Sequence, residues 1–381
     1  MKKLNKKLFS IILTALLLSL SIAGCSGETT QSENTDTKTP PTESENQKTA
    51  ESEESQTNSD IKTVVDMDGA EIEIPDHVTK VAVGGALNQM MLILGQPDKI
   101  AATAEAVQKS FFAAVYPEIK DVAAGYTGSG KGEMNLETIL EMEPDVLFGS
   151  VSDDIKEVFD EAGIITVGIS MANPEEIKET LTIMAKVVGD GAEEKAKEFC
   201  DYYDSNIQYV EDGTREAKKV AVFVAGSDGS DGAISTVGLN DIHTCYILSA
   251  GGTNITAGDD VDQSASSIQV DFEFLMSKQP EVIVVTAATA YEYMMDKSND
   301  SQWQDLDAVK AGKVYLVPSG VYLWSVRSCE GALQPLWLAQ VLHPDLFEDL
   351  DMRETTREFY RNFYNYELTD EEIENIFNQT S

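Results

Sequence analysis

Two stretches of the chain share one pattern: NLETILEMEPDVLF at 135–148 and DFEFLMSKQPEVIV at 271–284. In both copies, apolar residues recur at helical spacing and stop at a proline, Pro144 or Pro280, whose ring cannot continue a helix. An acidic residue then opens a short apolar run that is typical of a buried parallel strand. A helix–stop–strand unit in each half of the chain predicts two similar lobes.

Length and charge narrow the possible functions. The 381 residues are too many for one hydrophobic core, so size alone also predicts two lobes. Asp and Glu total 66 against 28 Lys and Arg, and the net charge is -38. Because such a surface repels phosphate groups, a nucleic-acid partner is not expected.

The first 24 residues have the layout of a secretory signal. Four lysines precede an apolar run, 8–23, which is shorter than the ~20 residues that a permanent membrane helix needs. Small residues then stand directly before Cys25, as in a bacterial lipoprotein processing site, although ordinary signal cleavage is the alternative. Residues 25–60 are polar and predict a disordered tether. We expect lipid on Cys25, because two or more acyl chains on this residue would anchor the protein stably in the membrane.

From residue 61 onward the sequence predicts a folded α/β protein. Alternating residues around Asp68-Gly69 predict a β-hairpin, although Asp66 and Asp68 also resemble the start of a calcium loop. Strands then alternate with helices, which predicts parallel sheets with ligands at the carboxyl ends of their strands. We expect an N-terminal lobe at 61–190, a linking helix at 191–213 that Asp212-Gly213 ends, and a C-terminal lobe at 214–381.

Cysteine and histidine show no pattern of a metal site. Beyond Cys25, the chain has Cys200, Cys245 and Cys329, without a CxxC motif, so free or buried thiols are expected rather than disulfides. The three histidines are isolated, and the sequence leaves open whether His243 faces a cleft or is buried.

Several short motifs occur together in a fixed order. They are the hairpin ending in Ile74-Pro75, the two copies of the repeated unit, Gly251-Gly252-Thr253-Asn254 and Gly312-Lys313-Val314-Tyr315. In this order, behind a lipoprotein-type signal, the chain resembles the substrate-binding lipoproteins of bacterial ABC importers that carry ferric siderophores, haem and cobalamin. The resemblance covers nearly all of 61–381.

This resemblance implies two lobes that hold a ligand in the cleft between them, and a monomer anchored outside the cell membrane. The partners would be an ABC permease with its ATPase subunits, and the ligand a ferric siderophore; cobalamin or haem is the alternative. No separate cofactor is expected. Glu137 and Glu273, one in each copy of the unit, match the glutamates that dock on the permease, although both could instead be solvated first-turn helix acids.

Arg327 is the strongest candidate for a charged ligand contact. It lies in GVYLWSVRS after a predicted strand, with Tyr322 and Trp324 nearby, and aromatic walls with one convergent charge suit a bulky anionic chelate. The alternative is that Arg327 pairs with Glu330 and that Trp324 belongs to the core.

Further candidates follow other strand ends. Tyr291 and Tyr293 are predicted at a loop mouth, where they would line the cleft or, less simply, ligate a metal. Tyr126 and Lys131 lie in GYTGSGKG, which nearly matches a phosphate-binding loop but has glycine where that loop needs Ser or Thr. A flexible cleft-rim loop is the better interpretation.

An enzyme on the same two-lobed scaffold is the competing hypothesis. It would need a nucleophile, a metal site or paired catalytic carboxylates, and the sequence contains no recognisable signature of these. A binding protein without catalytic activity is therefore the preferred interpretation.

Overall fold

The computed structural model describes residues 61–127, 134–265, 268–298 and 301–379. The predicted signal, Cys25, the tether and Lys131 lie outside these ranges. The strands are β1 Ile61–Val65, β2 Glu71–Pro75, β3 Val81–Ala82, β4 Ile100–Ala104, β5 Ala123–Tyr126, β6 Val146–Phe148, β7 Ile165–Val167, β8 Val220–Ala225, β9 Ile234–Thr236, β10 Gly252–Asn254, β11 Ile268–Val270, β12 Val282–Val285 and β13 Val314–Leu316.

The α-helices alternate with these strands. They are Leu87–Ile93, Glu105–Gln108, Phe112–Val115, Leu136–Met142, Asp153–Glu161, Pro174–Val188, Ala192–Thr214, Ile242–Ser249, Phe272–Lys278, Ala288–Met295, Asp307–Lys310, Gln334–Leu342, Met352–Phe359 and Asp370–Asn378. Within the described ranges, none of the helices is both long and apolar enough to cross a membrane.

Two parallel sheets confirm the predicted pair of α/β lobes. The first has the strand order β5-β4-β3-β6-β7, and the second has the order β10-β8-β12-β13. The helix Ala192–Thr214 links the two halves of the chain. In each sheet the strand order reverses once, between β3 and β6 and between β8 and β12, and such reversals create crevices at the carboxyl ends.

The second sheet is buried on both faces, as its continuous apolar strands predict. Val222 and Val224 pack into the core that includes the linking helix, while Phe223 and Ala225 face a separate core on the other side. This alternation follows from the two-residue period of a strand.

The predicted β-hairpin at the start of the folded region is confirmed. Strands β1 and β2 pair antiparallel, with Val65 opposite Glu71. Asp66 Oδ1 accepts hydrogen bonds from the backbone amides of Asp68 (3.0 Å) and Ala70 (2.8 Å), and Oδ2 accepts one from Gly168 (3.1 Å). Asp66 thus serves to shape the turn and to fasten it beyond the end of β7.

The linking helix ends one residue later than predicted, because Gly213 does not end it. The helix continues to Thr214, whose side-chain hydroxyl donates to the carbonyl of Val210 at 3.0 Å. A Cβ atom at position 213 would lie 2.7 Å from Cζ of Phe347. The glycine therefore permits close approach of this ring and does not act as a helix stop.

The C-terminal helical segment, which includes a π-helical turn at Tyr360–Tyr364, contacts both halves of the molecule. The ring of Phe363 packs against Phe199 of the linking helix at 5.4 Å, and Tyr360 packs against Phe111 of the first lobe at 6.2 Å. A capping box formed by Thr369 and Glu372 begins the last helix. Because the closing helices touch the first lobe as well, the domain boundary at 214 stays a prediction.

Candidate ligand-binding site

The carboxyl ends of both sheets carry the loops that the fold predicts to face a ligand. Two of these loops follow edge strands, and the charged groups described below lie on them or contact them. We call 168–173, after β7, the first rim loop, and 317–328, after β13, the second rim loop.

Glu176 fastens the first rim loop. Its carboxylate accepts hydrogen bonds from the hydroxyl of Ser170, the backbone amide of Ala172 (2.8 Å) and the side-chain amide of Asn173 (2.8 Å). The hydrogen bond from Ser170, the other donors and the charge of Arg327 together lower the pKa of Glu176. The first rim loop is therefore held by a carboxylate that is stable in its ionised form.

Glu330 fastens the second rim loop from inside the protein. It is fully buried and accepts hydrogen bonds from the backbone amides of Val321 (3.1 Å) and Tyr322 (3.0 Å) and from the hydroxyl of Tyr360. Burial raises the pKa of Glu330 to about 7, although these donors oppose the shift. Glu330 thus has its own partners, and the alternative pairing with Arg327 does not form.

The charge of Arg327 acts on acidic groups of both halves of the chain. Its side chain is half-buried, and its charge contributes to lowering the pKa values of Glu176 in the first lobe and Asp241 in the second. Within the described ranges, no hydrogen bond or ion pair engages its guanidinium. A guanidinium in this position is available to an anion bound between the lobes.

Asp241 and His243 form a pair near Arg327. Asp241 caps the helix Ile242–Ser249 by accepting from the backbone amide of His243 at 3.0 Å, and its Oδ1 also lies 2.5 Å from His243 Nδ1. Burial opposes ionisation of Asp241, but the hydrogen bonds from His243 and the charge of Arg327 outweigh it and lower the pKa. The Nε2 atom of His243 is buried and has no hydrogen-bond partner in the described part of the chain.

One hydrogen bond joins the two lobes beside this region. Oε1 of Gln89, in the first helix after β3, accepts from the backbone amide of Cys329 at 3.0 Å, and both residues are buried. The predicted free thiols are confirmed for Cys200, Cys245 and Cys329. Gln89 and Glu176 were not among the residues predicted from the sequence. Both follow the ends of parallel strands, and that position could have identified them.

The aromatic candidates occupy other positions than predicted. Trp324 is fully buried and packs its ring against Phe377 at 5.6 Å, so it belongs to the core, as the alternative interpretation held. Tyr126 is the last residue of β5 and is buried, not part of a flexible loop. Of the four tyrosines predicted beside a cleft, only Tyr322 lies on a rim loop, where it is half-buried.

Tyr291 and Tyr293 are on the helix Ala288–Met295, and the prediction of a loop mouth is wrong. The helix forms because its Tyr and Met side chains pack against the second core of the C-terminal lobe. Glu137 and Glu273, by contrast, are exposed in the first turns of two equivalent helices.

Known proteins share this architecture. Residues 81–321 match the model of a family described as periplasmic binding protein. The molybdate-binding protein MolA of Haemophilus influenzae is 25% identical over 335 residues, which cover 80% of this chain and 91% of MolA.

Two solved structures show the same fold. A periplasmic solute binding protein from Veillonella parvula has a TM-score of 0.72 and 24% identity, and covers 84% of this chain and 97% of its own. MolA bound to molybdate, the cognate binding protein of an ABC transporter, has a TM-score of 0.67 and 19% identity, and covers 81% and 99%. Since the family match spans more than half of the chain, this protein belongs to the periplasmic binding protein family, the extracytoplasmic substrate-binding proteins of ABC importers.

Proposed function

We propose that this protein captures an anionic metal compound between its lobes and delivers it to an ABC permease. The observation that carries the proposal is Arg327, which is half-buried, acts electrostatically on Glu176 and Asp241, and has no hydrogen-bond or ion-pair partner in the described ranges. A half-buried guanidinium without an ion-pair partner favours binding of an anion over a neutral solute. The family consists of solute-binding proteins, so we propose no catalytic step.

A ferric siderophore is the first candidate ligand. The sequence motifs support it, because they resemble those of the siderophore, haem and cobalamin carriers. The second rim loop supplies Tyr322 and Arg327 as the side chains that would contact the chelate, and Glu330 holds that loop in place. Cobalamin and haem are alternatives within the same class, and a structural neighbour from Vibrio cholerae binds vitamin B12.

A small metal oxyanion such as molybdate is the second candidate. Because Trp324 and Tyr126 are buried, they do not provide the broad aromatic walls that a bulky chelate would use. A single guanidinium suits a compact anion, and the relative MolA is named as a molybdate-binding protein. This candidate therefore has support from both the packing and the comparison.

Binding titrations distinguish these ligands. The full chain should be titrated with molybdate, tungstate, sulfate, a ferric tris-catecholate, haem and cobalamin, with Trp fluorescence and calorimetry as readouts. We expect tight binding of one metal-containing anion, and Arg327→Gln should weaken it at least tenfold, whereas Arg353→Gln, which removes a surface ion pair with Glu374, should not. Tight binding of an uncharged solute that Arg327→Gln leaves unchanged would contradict the proposal.

We also propose that Glu137 and Glu273 dock on the permease. Their exposure in equivalent helices would let one carboxylate from each lobe contact a two-fold symmetric partner. Replacing either by Ala should lower ligand uptake by cells while leaving ligand affinity unchanged, and Glu141→Ala on the first of these helices is the matched control. Loss of affinity in the docking variants would contradict this assignment.

The proposed position at the membrane depends on Cys25. We propose that lipid on this residue anchors the protein at the outer face of the cell membrane. Cys25→Ser should release the protein into the medium, and metabolic labelling with a fatty acid should mark only the wild-type chain.

A further inference from the structure

The hydroxyl of Tyr360 lies at the centre of the contacts that hold the second rim loop. It donates a hydrogen bond to Oε1 of Glu330 and accepts one from the backbone amide of Val321 at 2.9 Å. The same amide lies 3.1 Å from Oε1 of Glu330, so the hydroxyl, the carboxylate and the loop form one closed set of hydrogen bonds. All three residues are buried, and water therefore does not replace either partner of this hydroxyl.

The ring of Tyr360 is fixed by packing, which defines where its hydroxyl lies. Its centroid is 6.2 Å from that of Phe111 in the first lobe and 5.0 Å from that of Tyr364. Tyr360 also begins the π-helical turn Tyr360–Tyr364, and such turns occur frequently at functional sites. Through its ring and its hydroxyl, this one side chain connects the first lobe with the second rim loop.

Gly320 permits the close approach of the loop to this hydroxyl. It does not have a positive φ, so its backbone conformation does not require glycine. A Cβ atom at this position, however, would clash with the hydroxyl oxygen of Tyr360 and would lie 2.7 Å from Oε1 of Glu330. Glycine is therefore needed here for space.

Arg327 follows this anchor along the chain and precedes a second one. The hydroxyl of Ser328 donates to the carbonyl of Leu323 at 3.1 Å, and the backbone amide of Cys329 donates to Gln89 at 3.0 Å. Because the chain is held on both sides of Arg327, loss of either anchor would change the position of its guanidinium.

Building on the proposed function, we propose that Tyr360 is a positioning residue for ligand binding, whose hydroxyl holds the second rim loop so that Arg327 meets the anion bound between the lobes. Tyr360 is fully buried and acts through Glu330 without touching the ligand. The ionised carboxylate of Glu330 accepts from all three of its donors, whereas the neutral acid must donate its own proton and displaces the hydroxyl of Tyr360. The loop is therefore held most firmly when Glu330 is ionised.

Of the titratable groups that act on this pair in the described part of the chain, Glu330 is the one whose charge changes near neutral pH. Burial raises its pKa to about 7, and the hydrogen bond from Tyr360 is the largest influence that opposes this rise. Burial also raises the pKa values of Tyr360, Tyr364 and Cys329, which stay uncharged there. Burial opposes ionisation of Glu372, which acts on Tyr360 from the last helix, but hydrogen bonds outweigh it and lower its pKa. Affinity for an anion should thus rise through about pH 7 as Glu330 ionises.

Two tyrosine variants test this inference as a matched pair. Tyr360→Phe keeps the ring and removes the hydroxyl, whereas Tyr364→Phe, on the same π-helical turn, removes a buried hydroxyl that has no hydrogen-bond partner in the described residues. Molybdate and a ferric tris-catecholate are the probes, each titrated into the full chain at pH 8 by calorimetry. For a probe that wild type binds, Tyr360→Phe should weaken binding at least fivefold and Tyr364→Phe less than twofold.

The pH profile of affinity separates positioning from a general loss of stability. Between pH 6 and 9, wild-type affinity should rise at about pH 7. In Tyr360→Phe the rise should move to higher pH, because the carboxylate loses a donor that favours its ionised form. Glu330→Gln should show no such rise, and this variant also controls for any titration of the probe itself. Circular dichroism that matches wild type would show that each variant is folded.

Gly320→Ala tests the same contact from the side of the loop. Its methyl group should push the loop away from the hydroxyl and weaken binding at least fivefold. Combined with Tyr360→Phe, the two losses should be less than additive, because both substitutions disturb one contact.

The outcomes distinguish this inference from the proposed function. Wild-type affinity in Tyr360→Phe, equal losses in the two tyrosine variants, or a pH rise that persists in Glu330→Gln would overturn the inference alone. Affinity that falls as Glu330 ionises would also overturn it, because repulsion of the anion would then outweigh positioning. If wild type bound neither probe nor any other metal-containing anion, the proposed function would fail, and the inference with it.

Discussion

Each of the two rim loops is held in place by the carboxylate of one glutamate, but the two carboxylates lie in opposite environments. Each loop follows an edge strand and is held by one glutamate. Glu176 accepts three hydrogen bonds from the first rim loop, whereas Glu330 accepts two from the second rim loop and one from Tyr360. Glu176 remains partly accessible and its pKa is lowered, whereas Glu330 is fully buried and its pKa is raised to about 7. Similar hydrogen bonding therefore does not decide which protonation state a carboxylate prefers.

The difference follows from the loss of water around Glu330. Three hydrogen-bond donors stabilise the ionised form of each carboxylate. Removing the charge from water favours the neutral form, and the cost of this removal increases with burial. For Glu176 the donors outweigh this cost, and for Glu330 they do not. The second rim loop, which carries Arg327, is thus held by a group that titrates near neutral pH.

The largest expected effect is on folding stability. Glu330→Ala should lower the free energy of unfolding by about 3 kcal/mol, because it leaves two backbone amides and the Tyr360 hydroxyl buried without their acceptor. Glu176→Ala should cost only about 1 kcal/mol, because water can replace its partly exposed carboxylate. Urea unfolding at pH 6 measures both, and equal losses would contradict the proposed contrast in burial.

The contributions of Glu330 and Glu176 to folding stability should change with pH in opposite directions. Since the folded pKa of Glu330 lies above the value of 4.5 for an exposed Glu, its contribution is full below pH 4.5 and is lost as pH rises through about 7. The stability advantage of wild type over Glu330→Gln should therefore shrink, by on the order of 3 kcal/mol, between pH 4.5 and 8.

Glu176 should show the reverse behaviour. Its folded pKa is lowered, so its contribution is present above pH 4.5 and is lost as pH falls through the folded pKa. The advantage of wild type over Glu176→Gln should then disappear on acidification. Urea unfolding of wild type, Glu330→Gln and Glu176→Gln from pH 3 to 8 provides the test. If the unfolding free energies of both variants changed with pH in parallel, the expected difference between the two glutamates would be refuted.

The contrast between the loops also shows what the sequence could predict. The repeated helix–stop–strand unit predicted both parallel sheets, because proline stops and apolar runs are local signals that need no partner. In each copy, Glu143 or Gln279 adopts a left-handed conformation, with φ of 46° and 45°, directly before the proline. The two copies therefore share the backbone turn as well as the helix and the strand.

The site was less predictable because its groups come from distant parts of the chain. Trp324 follows a strand in the sequence, but whether its ring faces a cleft or Phe377 depends on where the last helix packs. Glu330 was considered a partner for Arg327 because it is three residues away, yet its side-chain partner, Tyr360, is 30 residues further along. Burial of this kind is a tertiary property that sequence spacing does not encode.

The repeated unit should behave alike in the two halves, in contrast with the rim loops. Asn135 accepts a hydrogen bond from the amide of Thr138 at 3.2 Å, and Asp271 accepts one from Phe274 at 2.8 Å, so both residues cap a helix. Replacing either cap by Ala should lower the free energy of unfolding by about 1 kcal/mol. Thermal unfolding of the two variants is the measurement, and destabilisation of only one of them would contradict the expected equivalence of the two caps.

The smallest expected effect concerns ligand affinity and again separates the two glutamates. Glu176 lies within the electrostatic field of Arg327 and competes with a bound anion for that charge. Glu176→Gln keeps a side-chain acceptor for the first rim loop but removes the negative charge, so affinity for the anionic ligand should rise about two- to fivefold at low salt. The gain should fade as salt is added, because the interaction is partly exposed to solvent. Glu179→Gln, at an exposed position on the same helix, is the control for a change in net charge. An equal gain in both variants would mean that Glu176 acts through the overall field of this acidic protein and not through Arg327.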